Sequence, residues 1–290
     1  MSRDLSPKSL LAEFGLSPKH HFGQNFLSDQ HLCSKIARVA SRGSPAEVSS
    51  EEADAEPAGT AVEIGAGLGN LTSHLLKEFA AVTAIERDRD LVPVLTEIFA
   101  DDVAQRRLTV VEDDAKTVDY TSLFATSSAP HVLVGNLPYN ITGQLLRLTC
   151  TLAPQLSRAV FLVQLEVANR LCAKPGGANY GALTVFVGAQ FHATRAFIIK
   201  RGAFRPQPRV DSAVVKLEPR ADPIEENQLF RALVSGAFHQ RRKKLRNAWR
   251  SIRPPEELAA AAKACAIELD LRGETLSVQQ FAAMARELNP

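Results

Sequence analysis

The chain has 290 residues, 45% of them hydrophobic, and a formal net charge of +2. That is apolar material for a sizeable core and length for one large and one small domain. No run of about 18 apolar residues occurs, which excludes a transmembrane helix, and the charge is too small to argue for a nucleic-acid partner by itself.

The N-terminal stretch MSRDLSPKSLLAEFGLSPKHHF reads as a polar arm with short helical potential, and it lacks the continuous apolar core of a secretory signal. Leu32, Ile36 and Val39 predict a helix over 31–40. Residues 41–60 are rich in Ser, Ala, Glu and Pro and read as a solvated loop with little to bury. Strands and helices then alternate. Strands are expected at 60–65, 81–86, 108–112, 131–136 and 159–164, with helices at 69–79, at 90–100, after NLPYN and over EVANRLCA. This order predicts an α/β fold with a doubly wound, mostly parallel sheet. Segments 195–200 and 211–218 are late strands joined by a Pro-rich turn, which suits an antiparallel pair. Beyond residue 223 only helical patterns remain, with Leu229, Phe230, Leu233, Val234 and Phe238 on one face, so the chain is divided into residues 1–223 and 224–290.

Cys33, Cys150, Cys172 and Cys265 are scattered, with no CxxC pair, and the seven histidines form no cluster. No metal site or disulfide framework is expected, and a reducing cytoplasm fits.

The turn AVEIGAGLGNLT sets Gly65, Gly67 and Gly69 between a strand and a helix, where backbone can approach a ligand without side chains intervening. Glu86 ends the next strand, 21 positions after Gly65. A carboxylate there suits a ribose with two free hydroxyls, which leaves NAD or S-adenosylmethionine. The glycines run GxGxG rather than GxGxxG. Glu63 would place a carboxylate near a cationic ligand, where it would repel a pyrophosphate. Asp113 and Asp114, after the third strand, offer acceptors for an adenine amino group. These features favour S-adenosylmethionine.

The fourth strand brings Asn136, Leu137, Pro138 and Tyr139 to the same sheet edge. An exocyclic adenine amine is a poor nucleophile, because its lone pair is delocalised into the ring. The Asn136 side-chain oxygen and the Leu137 carbonyl can accept its two N–H bonds and turn the lone pair outward. Pro138 restricts Leu137 to extended backbone, and Tyr139 offers a face for stacking, worth about 1–3 kcal/mol. Positioning then carries much of the catalysis.

With HFGQNFL, VEIGAGLGNLT, AIERD, EDDA, NLPYNIT, VQLEVANRL, YGALTV, FRPQPRVDSAVV and FHQRRKKLRNAW, the sequence resembles the ribosomal RNA adenine dimethyltransferases from about residue 20 to 250, most closely their bacterial small-subunit branch. NLPY, QNFL and PRVDSAVV are specific motifs; the glycine turn alone is not. The resemblance implies a class I, Rossmann-like S-adenosylmethionine-dependent methyltransferase fold followed by a small helical domain. It implies cofactor contacts at Asn25, Leu27, Gly65, Glu86, Asp114 and Asn136, with Gly67 and Ala115 in the same motifs. It further implies N6,N6-dimethylation of two adjacent adenosines near the 3′ end of 16S rRNA during small-subunit maturation; a monomer is expected. Phe204 matches an aromatic position expected to hold the target base opposite Tyr139, and Gln24 and Asn25 are expected to lie over the cofactor. Leu165 stands where the family usually has a basic residue.

Residues Arg241, Arg242, Lys243, Lys244 and Arg246, with Arg250, are expected to contact RNA phosphates, because they lack nearby acids in sequence. Leu245 and Trp249 are expected to be buried at i, i+4. KPGGANYGA reads as a loop, with Tyr180 a candidate to border the RNA surface. A 23S rRNA methyltransferase of the macrolide-resistance type, a non-catalytic ribosome-assembly module and an NAD-dependent dehydrogenase are the rival readings.

Overall fold

The computed structural model describes residues 6–19, 22–44, 57, 59–125, 129–240 and 242–289; most of the expected 41–60 loop lies outside them. The chain divides into two compact units, Met1–Ala168 with Thr194–Glu218, and Asn169–Ala193 with Pro219–Pro290. The boundary expected near residue 223 lies close to the second unit's re-entry at Pro219, but the sequence had not separated residues 169–193 from the first.

The strands are β1 (Phe26–Leu27), β2 (Thr60–Ile64), β3 (Ala81–Glu86), β4 (Leu108–Glu112), β5 (His131–Asn136), β6 (Arg158–Gln164), β7 (Phe191–Ile199), β8 (Phe204–Arg205) and β9 (Ser212–Pro219). Seven of them form one sheet in the order β4-β3-β2-β5-β6-β9-β7, and β1 pairs with β8 separately. The pairs among β4, β3, β2, β5 and β6 are parallel, whereas β6–β9 is antiparallel. All five residues of β2 are buried, as expected of a strand covered by helices on both faces.

Register sets the site. Ile64 aligns with Ile85 on β3 and with Gly135 on β5, and Glu86 aligns with Glu112 on β4. The carboxyl ends of four strands therefore open on one edge, and the chain switches from one side of β2 to the other between β4 and β5. Ligand crevices form at such switch points.

The helix Gln30–Arg42 shows how local chemistry fixes an element. Asp29 caps it by accepting from Leu32 N at 3.1 Å. Cys33, Ile36, Ala37, Val39 and Ala40 form its buried face, and Gly43 ends it at φ +77°.

In the second unit, helices Gln228–His239, Pro255–Ala264 and Val278–Glu287 enclose Trp249, Phe230 and Phe281, all fully buried. The Trp249 indole donates to Leu233 O at 2.8 Å, which satisfies its polar edge inside an apolar core. A capping box between Ser277 and Gln280 starts the last helix.

Candidate active site

One cleft of about 1150 Å³, counting its open mouth, lies at the carboxyl edge of β2, β3, β4 and β5. It is lined by Asn25, Leu27, Gly65, Gly67, Glu86, Asp114, Ala115 and Asn136, and also by Leu137, Pro138 and Tyr139. Residues far apart in sequence thus meet in one place, because each follows or ends a strand of the same edge.

Glu86 is buried, and both of its oxygens accept main-chain N–H groups: Oε2 from Gly67 and Oε1 from Asp88, each at 2.8 Å. Burial pushes its pKa up, and these two N–H groups oppose the shift. A carboxylate oxygen has lone pairs beyond one bond, so each can still receive a hydroxyl. Glu63 lines the same cleft but is 1% exposed. Desolvation raises its pKa to about 7, against the Thr72 hydroxyl that donates to Oε2 at 2.6 Å. The full negative charge expected at Glu63 is thereby reduced near neutrality. Asp114 accepts from Lys116 N at 3.0 Å and lies 3.3 Å from Arg87 Nη1.

At the end of β5, Asn136 Nδ2 donates to Asn25 O at 2.8 Å. Its amide is therefore oriented, and among the described residues nothing donates to its Oδ1 or to the Leu137 carbonyl. Leu137 N donates to Leu162 O at 3.0 Å, and Pro138 O accepts from Thr142 Oγ1 at 2.9 Å, pinning the turn on both sides. The Tyr139 hydroxyl is 2.8 Å from Ser212 Oγ, and burial raises its pKa while that hydrogen bond opposes the rise. The ring is fixed at its polar end with its body partly exposed.

Phe204 is a correction. It is fully buried, paired with Leu27 across β1–β8, and it packs in the core with Leu27, Ile199 and Val214 rather than in the cleft. Its main chain adjoins a lining residue, but its ring points into apolar surroundings. The arm residues Phe22, Gly23 and Gln24 line the cleft. So does Asp88's neighbour Arg87, whose guanidinium lies 5.6 Å from the centre of the Phe22 ring; sequence reasoning singled out neither Arg87 nor Asp88.

The family model for Ribosomal RNA adenine dimethylase matches residues 15–290. The chain belongs to that family. This makes it a methyltransferase of the ribosomal RNA adenine dimethyltransferase kind, with a Rossmann-like fold. A protein named Ribosomal RNA small subunit methyltransferase A from Anaeromyxobacter sp. (strain K) is 40% identical over 296 residues, covering 98% of each chain. Its namesake from Geobacter metallireducens is 37% identical, covering 94% of this chain and 96% of its own. Among solved structures, the 23S rRNA methyltransferase ErmE aligns with a TM-score of 0.63 at 25% identity, covering 92% of this chain and 100% of its own. A dimethyladenosine transferase from Plasmodium falciparum shares the fold, with a TM-score of 0.68 at 24% identity, covering 89% of this chain and 95% of its own.

The basic segment lies in the second unit. Arg241 is outside the described residues. Arg242, Lys243, Lys244 and Arg246 are exposed, but Asp270 pairs with Lys244 at 2.9 Å and with Arg246. The expectation of no nearby acid is thus corrected by a carboxylate 24 residues downstream of Arg246. Leu245 and Trp249 are buried. Tyr180, expected near an RNA surface, is instead 1% exposed and lies against Phe238 at 6.0 Å between ring centroids. Among the described residues no group of His, Cys, Asp or Glu could hold a metal ion, and no helix is long and apolar enough to cross a membrane.

Proposed function

We propose that this family member methylates the exocyclic amines of two adjacent adenosines near the 3′ end of 16S rRNA, two methyl groups on each, using S-adenosylmethionine. The observation that carries the reading is the oriented Asn136 amide, set beside the Leu137 carbonyl and Tyr139 in the cleft that also holds Glu86 and the glycine turn.

The donor set fits the cofactor. Glu86 retains acceptor capacity for ribose hydroxyls, Gly65 leaves its backbone unobstructed while the Gly67 N–H holds Glu86 in place, and Asp114 with Ala115 offers an acceptor beside an apolar contact for adenine. Asn25 and Leu27 would close the site from the arm side. When bound, S-adenosylmethionine supplies an electrophilic methyl group. Asn136 Oδ1 and the Leu137 carbonyl accept the two N–H bonds of the target amine, favouring a pyramidal nitrogen. Tyr139 stacks on the base, as suits an enzyme that draws a base out of an RNA stack. Arg242, Lys243, Lys244 and Arg246, with Arg241, contact RNA phosphates. Small-subunit rRNA as substrate is supported by full-length identity to proteins named for that subunit. We take the enzyme to be a cytoplasmic monomer.

The test supplies labelled S-adenosylmethionine with unmethylated small subunits, naked 16S rRNA or large subunits, and maps the label by nuclease digestion and mass spectrometry. Dimethyladenosine at two adjacent 3′-end positions of the small subunit is expected, and Asn136→Ala should abolish it. Label confined to 23S rRNA would overturn the substrate; cofactor binding without label would overturn the activity.

A further inference from the structure

Between the arm and the end of β3 runs a closed ring of hydrogen bonds. Asp88 Oδ1 accepts from Lys19 Nζ at 2.5 Å, and Oδ2 accepts from Gln24 Nε2 at 2.8 Å. Gln24 Oε1 in turn accepts from the Lys19 main-chain N–H at 2.7 Å. Lys19 Nζ also reaches Asp90 at 2.6 Å. The Asp88 side chain is 3% exposed, while Lys19 keeps 28% of its surface in solvent, so the charge-assisted bonds are shielded on the Asp88 side only. On its other side, the Asp88 N–H is the one held by Glu86 Oε1.

The same arm is fastened a second time, where Asn25 O accepts from Asn136. Asp88 follows β3 and Asn136 ends β5, and the sheet order places β2 between those strands. A segment tied to both must cross the carboxyl end of β2, which carries the glycine turn. The contact is direct: a Cβ added at Gly67 would lie 3.0 Å from the Phe26 ring.

We infer that Asp88 is a positioning residue that latches the arm, through Lys19 and Gln24, as a strap across the glycine turn and so governs how firmly the cleft holds its nucleoside ligand. The ligand clause rests on the S-adenosylmethionine reading above; the latch itself does not. Asp88 joins the strap to Glu86 through one residue's main chain and side chain, so strap closure and placement of the Glu86 carboxylate are set together. The Asn136 end is a single neutral hydrogen bond, whereas the Asp88 end combines an ion pair with an amide bond, so removing the charge at Asp88 or Lys19 is the larger perturbation of the strap.

Two substitutions test the latch from opposite sides. Asp88→Asn keeps an oxygen for the Asp90 N–H, which Asp88 Oδ1 accepts at 3.1 Å, but removes the charge that pairs with Lys19 and sets an amide NH2 against the Gln24 Nε2 that Oδ2 now accepts from. Lys19→Met removes the ammonium group and leaves Asp88, Glu86 and their turn untouched. Backbone hydrogen exchange at residues 16–19 and 22–25 of the full, ligand-free chain should accelerate about tenfold in either variant, the size expected for a lost hydrogen bond to a charged group. S-adenosylhomocysteine, titrated calorimetrically, should bind about tenfold more weakly. The double variant should lose little beyond either single one, and turnover should show the loss in the cofactor KM more than in kcat. Wild-type exchange rates in Lys19→Met would overturn the latch, as would additive losses in the double variant. A wild-type protein that fails to bind the nucleoside would instead sink the cofactor reading, with the exchange comparison still deciding the latch.

Discussion

The side-chain amide of Asn136 donates to the main-chain carbonyl of Asn25 at 2.8 Å, joining the end of β5 to the arm across 111 positions of sequence. One bond therefore both orients the amide and fastens the arm. Asn136→Asp separates having an oxygen from having it oriented: the carboxylate keeps its acceptors but faces the Asn25 carbonyl with no proton to give. Methyl transfer should fall about 10²-fold, the scale for loss of a preorganised polar group. Lowering the pH from 8 to 5.5 should recover part of it, since a protonated carboxyl can donate again. A variant as active as wild type, or one whose activity declines with acid in parallel with wild type, would remove Asn136 orientation from the mechanism.

Glu86 uses both oxygens on main-chain N–H groups, of Gly67 and Asp88. Glu86→Gln supplies one acceptor oxygen, so its NH2 must face an N–H at the other position. Leaving a buried donor unsatisfied costs about 1–3 kcal/mol. Urea unfolding should register that loss, and the nucleoside affinity should fall with it. Unchanged stability would mean the two N–H bonds are not formed in solution.

Much of this site could be read from the chain because its parts sit where apolar strands stop. AVEIG, AVTAIE and HVLVGN each end in the residue that lines the cleft, and parallel register carries those ends to one edge. Contacts made by charged residues on surface-like segments were not legible. Lys19 and Asp88 are 69 positions apart, and each reads as a solvated charge until the arm folds back. Asp270 escaped notice for the same reason: nothing local links it to Lys244. Phe204 failed differently, since a motif position fixes the backbone neighbourhood but not which way a ring turns. Tyr180 looked like part of a Gly-rich loop, yet its ring has an aromatic core to enter.

Gly69 has φ +81°, and a Cβ there would overlap the Phe99 ring, with Leu95 Cδ2 3.1 Å away. Gly69→Ala therefore combines a left-handed backbone with overpacking of a buried contact, together about 3 kcal/mol. A clear fall in melting temperature is expected by calorimetry. A wild-type melting temperature would show that the helix after the turn can move away at no cost.

Burial raises the Glu63 pKa from near 4.5 to about 7. Between those values the folded protein keeps a proton that the unfolded chain has lost, so the folded state binds more protons. Stability from this group must then fall as pH rises from about 4.5 to 7 and level off above, by at most about 3 kcal/mol. Glu63→Gln keeps an oxygen for the Thr72 hydroxyl and removes the titration. Urea unfolding at pH 5, 6, 7 and 8 should show a decline in wild type that is shallower in the variant. Parallel curves would mean that Glu63 does not hold its proton in the folded state.

Asp270 divides the basic segment into two kinds of cation. Lys244 and Arg246 share its carboxylate, whereas Arg242 and Lys243 have no acidic partner among the described residues. An exposed ion pair contributes little to stability, but it halves the charge that Lys244 and Arg246 together present to a phosphate backbone. Replacing Arg242 and Lys243 together by Ala should weaken RNA binding and flatten the plot of log affinity against log salt by about 1.5, the change for two lost phosphate contacts. Asp270→Asn should do the opposite, tightening binding at low salt and steepening the plot, because two cations are released without adding any. Both effects should leave nucleoside affinity alone, since the cleft is lined entirely by residues of the first unit. If the Arg242 and Lys243 replacement binds RNA like wild type at every salt concentration, the phosphate contacts lie elsewhere on the protein. If only Asp270→Asn is silent, Lys244 and Arg246 already exchange Asp270 for phosphate when RNA binds.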